Sequence, residues 1–286
     1  MPTPCSRRRF LGTSAAAAGG LLLSRRRALG AGPEAAGDRF GGFVMGMQSY
    51  SLRGFDVDQA LKHVHDLGLA SIELYSGHFP LAASDEQIAK MKEKTSGLGI
   101  QMLGHGVDSF TKDHEANRRI FAFAKKAGIR NISADPHEDS FDSLDKLVAE
   151  YDIRVAIHNH GPGARYDKLS DVLNTIRDRH ELIGACADLG HYIRSNEDPV
   201  RVIRMLKGQL YGVHLKDFKD RDKRVRGVIL GKGHLDVVGV FRALREVKFP
   251  ADAPLSLEYE ERPENPIEDI RACVEVASEA AMRAAG

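Results

Sequence analysis

The chain of 286 residues has no tryptophan, three cysteines and almost no net charge. Each scarcity excludes something. Three cysteines, Cys5, Cys186 and Cys273, are too few and too scattered for a disulfide framework. With 41 basic and 40 acidic residues the formal charge is +1, so the basic excess of a nucleic-acid binder is missing. The N-terminal apolar run, Thr13 to Leu23, falls short of the roughly 20 residues that a transmembrane helix needs, and no stable membrane insertion is expected. Without tryptophan, a non-catalytic exported sugar-binding protein, which stacks its ligand on aromatic side chains between two lobes, is a weak reading. The first predicted strand runs into Gln48-Ser49-Tyr50-Ser51 rather than a glycine-rich phosphate turn, which argues against an open doubly wound sheet.

The first forty residues read separately from the rest. Ser6-Arg7-Arg8-Arg9-Phe10-Leu11 precedes a short, weakly apolar stretch, and Arg25-Arg26-Arg27 follows it. Paired arginines before Phe-Leu predict a twin-arginine export signal over residues 1–31, a linker over 32–42 and a folded domain over 43–286. The expected location is periplasmic or otherwise extracytoplasmic. Residues 1–31 carry six arginines and no acidic residue, so their removal takes the charge from +1 to −5. The twin-arginine route carries proteins already folded, which suits an enzyme loaded with its metal before export.

From Phe43 onward, apolar runs alternate with amphipathic stretches. Strands are predicted over 43–50, 70–75, 100–104, 129–133, 153–158, 183–188, 210–215 and 255–259. Helices are predicted over 56–67, 84–96, 113–127, 140–150, 166–178, 199–207, 237–247 and 266–284. Val57, Ala60, Leu61, Val64 and Leu67 show the helical spacing, and Gly68 and Gly128 stand where helices end. Eight strand–helix pairs in roughly 250 residues, with no two strands adjacent, predict an α/β fold, a single-domain (β/α)₈ TIM barrel.

In such a barrel the active site lies at the carboxyl ends of the strands. Reactive side chains gather there: Glu73 and Tyr75 on strand two, His105 after strand three, His158 and His160 at strand five, Asp188 and His191 at strand six, His214, Lys216 and Asp217 at strand seven, and Glu258 and Glu260 at strand eight. The sharpest set is His158, Asp188, His214 and Glu258, one from each of the last four strands. Neighbouring strands are about 4.8 Å apart, so these side chains can converge on one ion. Two imidazoles and two carboxylates suit one divalent metal, Mn²⁺ foremost, then Co²⁺, Fe²⁺ or Zn²⁺, with Mg²⁺ less favoured and Ca²⁺ least. The bland alternatives are a satisfied core histidine for His214 and a helix cap for Asp188. Glu258 is harder to dismiss, because a buried carboxylate needs a partner.

Ala185-Cys186-Ala187-Asp188-Leu189-Gly190-His191, Tyr211-Gly212-Val213-His214-Leu215-Lys216-Asp217, Gly231-Lys232-Gly233-His234-Leu235-Asp236 and Leu255-Ser256-Leu257-Glu258-Tyr259-Glu260 together resemble the xylose-isomerase-like sugar isomerase/epimerase superfamily. The resemblance spans Phe43 to the C-terminus. It implies the barrel, a divalent metal and a sugar-like small-molecule substrate; an oligomer is compatible with it. Members usually carry a metal-binding Glu in a Glu-Asn-His context on strand five. Here the residues are His158-Asn159-His160, so only Glu258 remains of the glutamate pair that shuttles a proton in the epimerases.

The expected reaction is isomerisation or epimerisation of a sugar or keto-sugar through an enediolate, with Glu258, His191 and Lys216 catalytic and Glu73, His105, His160 and Asp217 binding substrate. The alternative is a lyase or dehydratase acting on a keto-sugar, keto-inositol or 3-keto-glycoside, which shares the first proton abstraction. Loss of the strand-five glutamate favours it, since elimination manages with one base and an acid. Phosphodiester hydrolysis, known on this fold from endonuclease IV, would require more metal ligands and a basic surface.

Overall fold

A computed structural model describes residues 38–222 and 224–286; the export signal expected over residues 1–31 lies outside them. Eight parallel strands close into a barrel: β1 (Met45–Gln48), β2 (Ser71–Leu74), β3 (Gln101–Asp108), β4 (Asn131–Ala134), β5 (Arg154–His158), β6 (Ile183–Asp188), β7 (Leu210–Leu215) and β8 (Leu255–Leu257). Their order around the barrel is β1-β8-β7-β6-β5-β4-β3-β2. Most are buried along their whole length, as parallel strands are when helices cover one face and the barrel interior the other.

The surrounding helices are α1 (Val57–Asp66), α2 (Asp85–Gly97), α3 (His114–Ala127), α4 (Phe141–Tyr151), α5 (Leu169–Ile176), α6 (Leu189–Arg194), α7 (Pro199–Met205), α8 (Val237–Val247) and α9 (Ile267–Arg283). Local chemistry sets their ends. Asp56 accepts from the Gln59 backbone N–H at 2.9 Å while the Gln59 side chain accepts from the Asp56 N–H at 3.2 Å. Ser84 and Gln87 repeat this reciprocal cap on α2. Such a cap contributes about 1 kcal/mol. On α1 the side chains of Ala60, Leu61 and Val64 turn into the core, the face that the sequence spacing predicts.

Three elements depart from expectation. The helix α6, six residues long, follows β6 directly and is too short to show a period in sequence. The Asp188 carboxylate starts it by accepting from the His191 backbone N–H at 2.7 Å. Residues 217–218 and 227–228 pair as a small antiparallel ribbon after β7, so a strand pair interrupts the alternation. The last barrel strand stops at Leu257, which leaves Glu258 just beyond it.

Candidate metal centre and substrate cavity

Register brings the predicted ligands together. Asp188 and Ser256 lie opposite His214 on either side of β7, and His158 lies opposite Cys186, two residues before Asp188. Ligand atoms of His158, Asp188, His214 and Glu258 all fall within 4.8 Å of one another, and all four residues are buried. His214 Nδ1 is 3.0 Å from Glu258 Oε2 and 3.0 Å from His158 Nε2. Asp188 Oδ2 is 3.7 Å from His158 Nε2 and 4.0 Å from His214 Nδ1.

Three carboxylates are buried here: Glu73, Asp188 and Glu258. One buried ammonium faces two of them, Asp188 and Glu258. Lys216 Nζ stands 2.9 Å from Asp188 Oδ2 and 2.8 Å from Glu258 Oε2, with Glu260 Oε1 at 3.4 Å. It pairs with them by charge, yet neither Asp188 Oδ2 nor Glu258 Oε2 accepts a hydrogen bond of good geometry. Burial alone would raise all three carboxylates. His191, Lys216 and His158 instead hold Asp188 well below the usual range, and Lys216 and His214 do the same for Glu258. For Glu73, His214 and the Ser133 hydroxyl overcome the effect of burial. With Lys216 charged and His214 held in its protonated form by its neighbours, three carboxylates against two cations leave one negative charge in excess. Uncompensated buried charge is costly, and two nitrogen and two oxygen donors with orphaned oxygens fit one divalent cation.

The flanking imidazoles are neutral for a different reason. Burial, followed by the neighbouring His158, pushes His160 down to about 4. Burial also depresses His191 strongly, although Asp188 opposes it. Arg194 donates to His191 Nδ1 at 2.9 Å, so the His191 proton sits on Nε2. Burial works against protonation of His214, but Cys186, Glu73 and Glu258 raise it well above the ordinary value. The Cys186 thiol is pushed up to about 11 by burial.

A cavity of about 340 Å³ opens against this cluster. His158, His160, His191, Lys216, Glu258 and Glu260 line one side; Gln48, Tyr50, Tyr75, Gly106 and Val107 line the other. Tyr50 and Tyr75 meet edge to face at 5.4 Å between centroids, and Tyr50 and Val107 are exposed.

The structure does not bring every predicted substrate contact to this cavity. His105 Nδ1 donates to Asp108 at 2.7 Å and Nε2 to the Phe79 carbonyl at 2.9 Å; the ring is fully buried, and its charge is balanced within the wall. The Asp217 carboxylate accepts four backbone N–H groups, those of Gly231, Gly233, His234 and Leu235, at 2.9 to 3.0 Å, so it anchors a loop. Gly233 is part of that anchor, since a Cβ there would lie 2.1 Å from the Phe218 carbonyl oxygen. Glu73 is fully buried behind His214 and does not line the cavity. His160 does. Sequence reasoning passed over Ser133, Ser256 and Arg194. The two serines were visible as polar residues within apolar strands, whereas Arg194 gave no signal.

The chain belongs to the xylose isomerase-like TIM barrel family, whose model matches residues 61–277. Among curated proteins it is similar to an inosose dehydratase of Clostridium botulinum, at 26% identity over 141 residues, covering 44% of this chain and 47% of that protein. It thus spans about half the length of the curated relatives it matches. Among solved structures, an uncharacterised protein of Parabacteroides distasonis matches at 27% identity with a TM-score of 0.63, over 82% of this chain and 97% of the other. The IOLI protein, solved with a binding zinc atom, shares the fold at 16% identity and a TM-score of 0.63, over 84% and 95% of the two chains.

Proposed function

We propose that the chain is a divalent-metal-dependent enzyme that removes the proton beside the carbonyl of a keto-sugar or keto-inositol and then expels a β-substituent, a lyase or dehydratase. The observation that carries this reading is that His158, rather than a second glutamate, meets Glu258 at the cluster, and that Glu258 lies beside a charged ammonium, Lys216. A cation held by His158, Asp188, His214 and Glu258 would supply Lewis-acid polarisation of the substrate carbonyl. Among the groups lining the cavity, Glu258 is weakened as a base by Lys216 at 2.8 Å, Glu260 pairs with the same ammonium at 3.4 Å, and His160 is a neutral imidazole. We therefore assign His160 the proton abstraction. His191, with its proton on Nε2, donates it to the oxygen of the departing β-substituent, which leaves as water or an alcohol as its bond to carbon breaks. Lys216, its pKa raised by the carboxylates of Asp188, Glu258 and Glu260 against burial, stays charged and steadies the developing oxyanion. The dehydratases among the curated relatives support elimination. The second reading, isomerisation or epimerisation, shares the first step and draws support from the fold shared with a D-psicose 3-epimerase, at 14% identity and a TM-score of 0.66.

Incubation of the Mn²⁺-loaded protein with keto-sugars, keto-inositols and 3-keto-glycosides in heavy water tests this. Loss of water or aglycone supports the lyase. Deuterium uptake with all substituents retained assigns the isomerase. No exchange with any of them refutes both. We propose further that the chain reaches an extracytoplasmic compartment by the twin-arginine route; replacing Arg8 and Arg9 with Lys should then hold it in the cytoplasm.

A further inference from the structure

We infer that Glu73 is a positioning residue for the metal centre, locking the His214 ring so that Nδ1 faces the cation; this rests on the proposed reading of the four-residue cluster as a metal site. Glu73 lies on β2, separated from β7 in the barrel by β1 and β8, and its side chain reaches across the interior. Its carboxylate is fully buried and gathers hydrogen bonds from three other strands. Ser133 of β4 donates to Oε1; Ser256 of β8 and His214 Nε2 of β7 donate to Oε2 at 3.1 and 2.9 Å. A buried carboxylate costs several kcal/mol unless its lone pairs are used, and these are. Ser133 and Ser256 sit in otherwise apolar segments, Ile132-Ser133-Ala134 and Leu255-Ser256-Leu257, where their hydroxyls serve Glu73.

The consequence falls on His214. Once a cation displaces its other proton, an imidazole whose Nε2–H is given to a carboxylate has its lone pair on Nδ1. That nitrogen is the one 3.0 Å from Glu258 Oε2 and 3.0 Å from His158 Nε2. A carboxylate behind a ligating imidazole fixes tautomer and ring angle and makes the ring a stronger donor. Glu73, Cys186 and His214 also lie close enough together to suggest a second ion site. The hydrogen bonds argue otherwise, because a cation there would have to displace the proton that His214 gives to Glu73.

The test compares the wild type with Glu73→Gln. A glutamine can accept from Nε2–H or donate to a bare Nε2, so the tautomer is no longer dictated. Calorimetric titration of the metal-free proteins with MnCl₂ should show affinity falling about 10- to 100-fold in Glu73→Gln. Nitrogen-15 spectra of histidine-labelled, Zn²⁺-loaded protein should show His214 with its proton on Nε2 in the wild type and an altered pattern in the variant. The visible spectrum of the Co²⁺-loaded protein should change with it. Ser133→Ala with Ser256→Ala keeps the carboxylate but frees it, and should lower Mn²⁺ affinity severalfold even if Glu73→Gln folds poorly. A wild type that takes up no Mn²⁺ overturns the metal-centre reading. A wild type that binds while Glu73→Gln, or the serine pair, binds equally well overturns the role of Glu73 alone.

Discussion

Asp188→Asn separates the two jobs of one side chain. Asp188 Oδ1 caps α6 through the His191 N–H at 2.7 Å, and asparagine caps a helix about as well as aspartate. The Asp188 backbone is held independently, by Asn159 accepting from its N–H at 2.9 Å and donating to its carbonyl at 3.1 Å. The fold should therefore tolerate the change, with the metal-free melting temperature moving by only a few degrees. The orphaned Oδ2 becomes an amide that cannot ligate a cation through its nitrogen, and the cluster loses its one excess negative charge. In the wild type, Mn²⁺ at a hundredfold its dissociation constant stabilises the folded state by about 2.7 kcal/mol. At about 2–4 °C per kcal/mol for a chain of this size, that is a rise of about 5–11 °C. Scanning calorimetry of chelator-treated protein with and without MnCl₂ should show this rise in the wild type and less than about 2 °C in Asp188→Asn. An equal rise in both would refute the assignment of Asp188 as a ligand, and with it the charge-balance argument.

Other substitutions probe the remaining roles. His160→Gln should lower turnover by about 10²–10⁴-fold with little change in KM, measured as deuterium exchange into the keto substrate. The same residue sets a pH dependence. His160 takes a proton below 6.5 when unfolded but resists to about 4 when folded, so its stability contribution is complete above pH 6.5 and drains away between 6.5 and 4. Melting curves across that window should fall more steeply in the wild type than in His160→Gln. Lys216→Met removes the ammonium that competes for Asp188 and Glu258, and should tighten Mn²⁺ binding in calorimetric titration while abolishing turnover. Asp217→Ala strands four backbone N–H groups and should cost about 2–4 kcal/mol, with amide exchange accelerated first over residues 231–235.

How much of this was legible in the sequence depends on what each residue's role requires. The barrel was, because alternating apolar runs and amphipathic stretches are properties of neighbours in the chain. The nearness of His158, Asp188, His214 and Glu258 follows from the same reading, since parallel strands of similar length bring their ends to one level. What a side chain does once there depends on partners far away in sequence. Glu73, His105 and Asp217 all stand on the rim in sequence, and all three spend their polar atoms inside the wall: on His214 141 positions away, on Phe79, and on a loop 14 to 18 residues downstream. Strand position tells which residues can converge, whereas the hydrogen bonds decide which are left with a lone pair or proton for a substrate. By that criterion we assign the base to His160, to which the sequence gave only substrate binding, because Glu258, the obvious carboxylate, is paired with Lys216 at 2.8 Å.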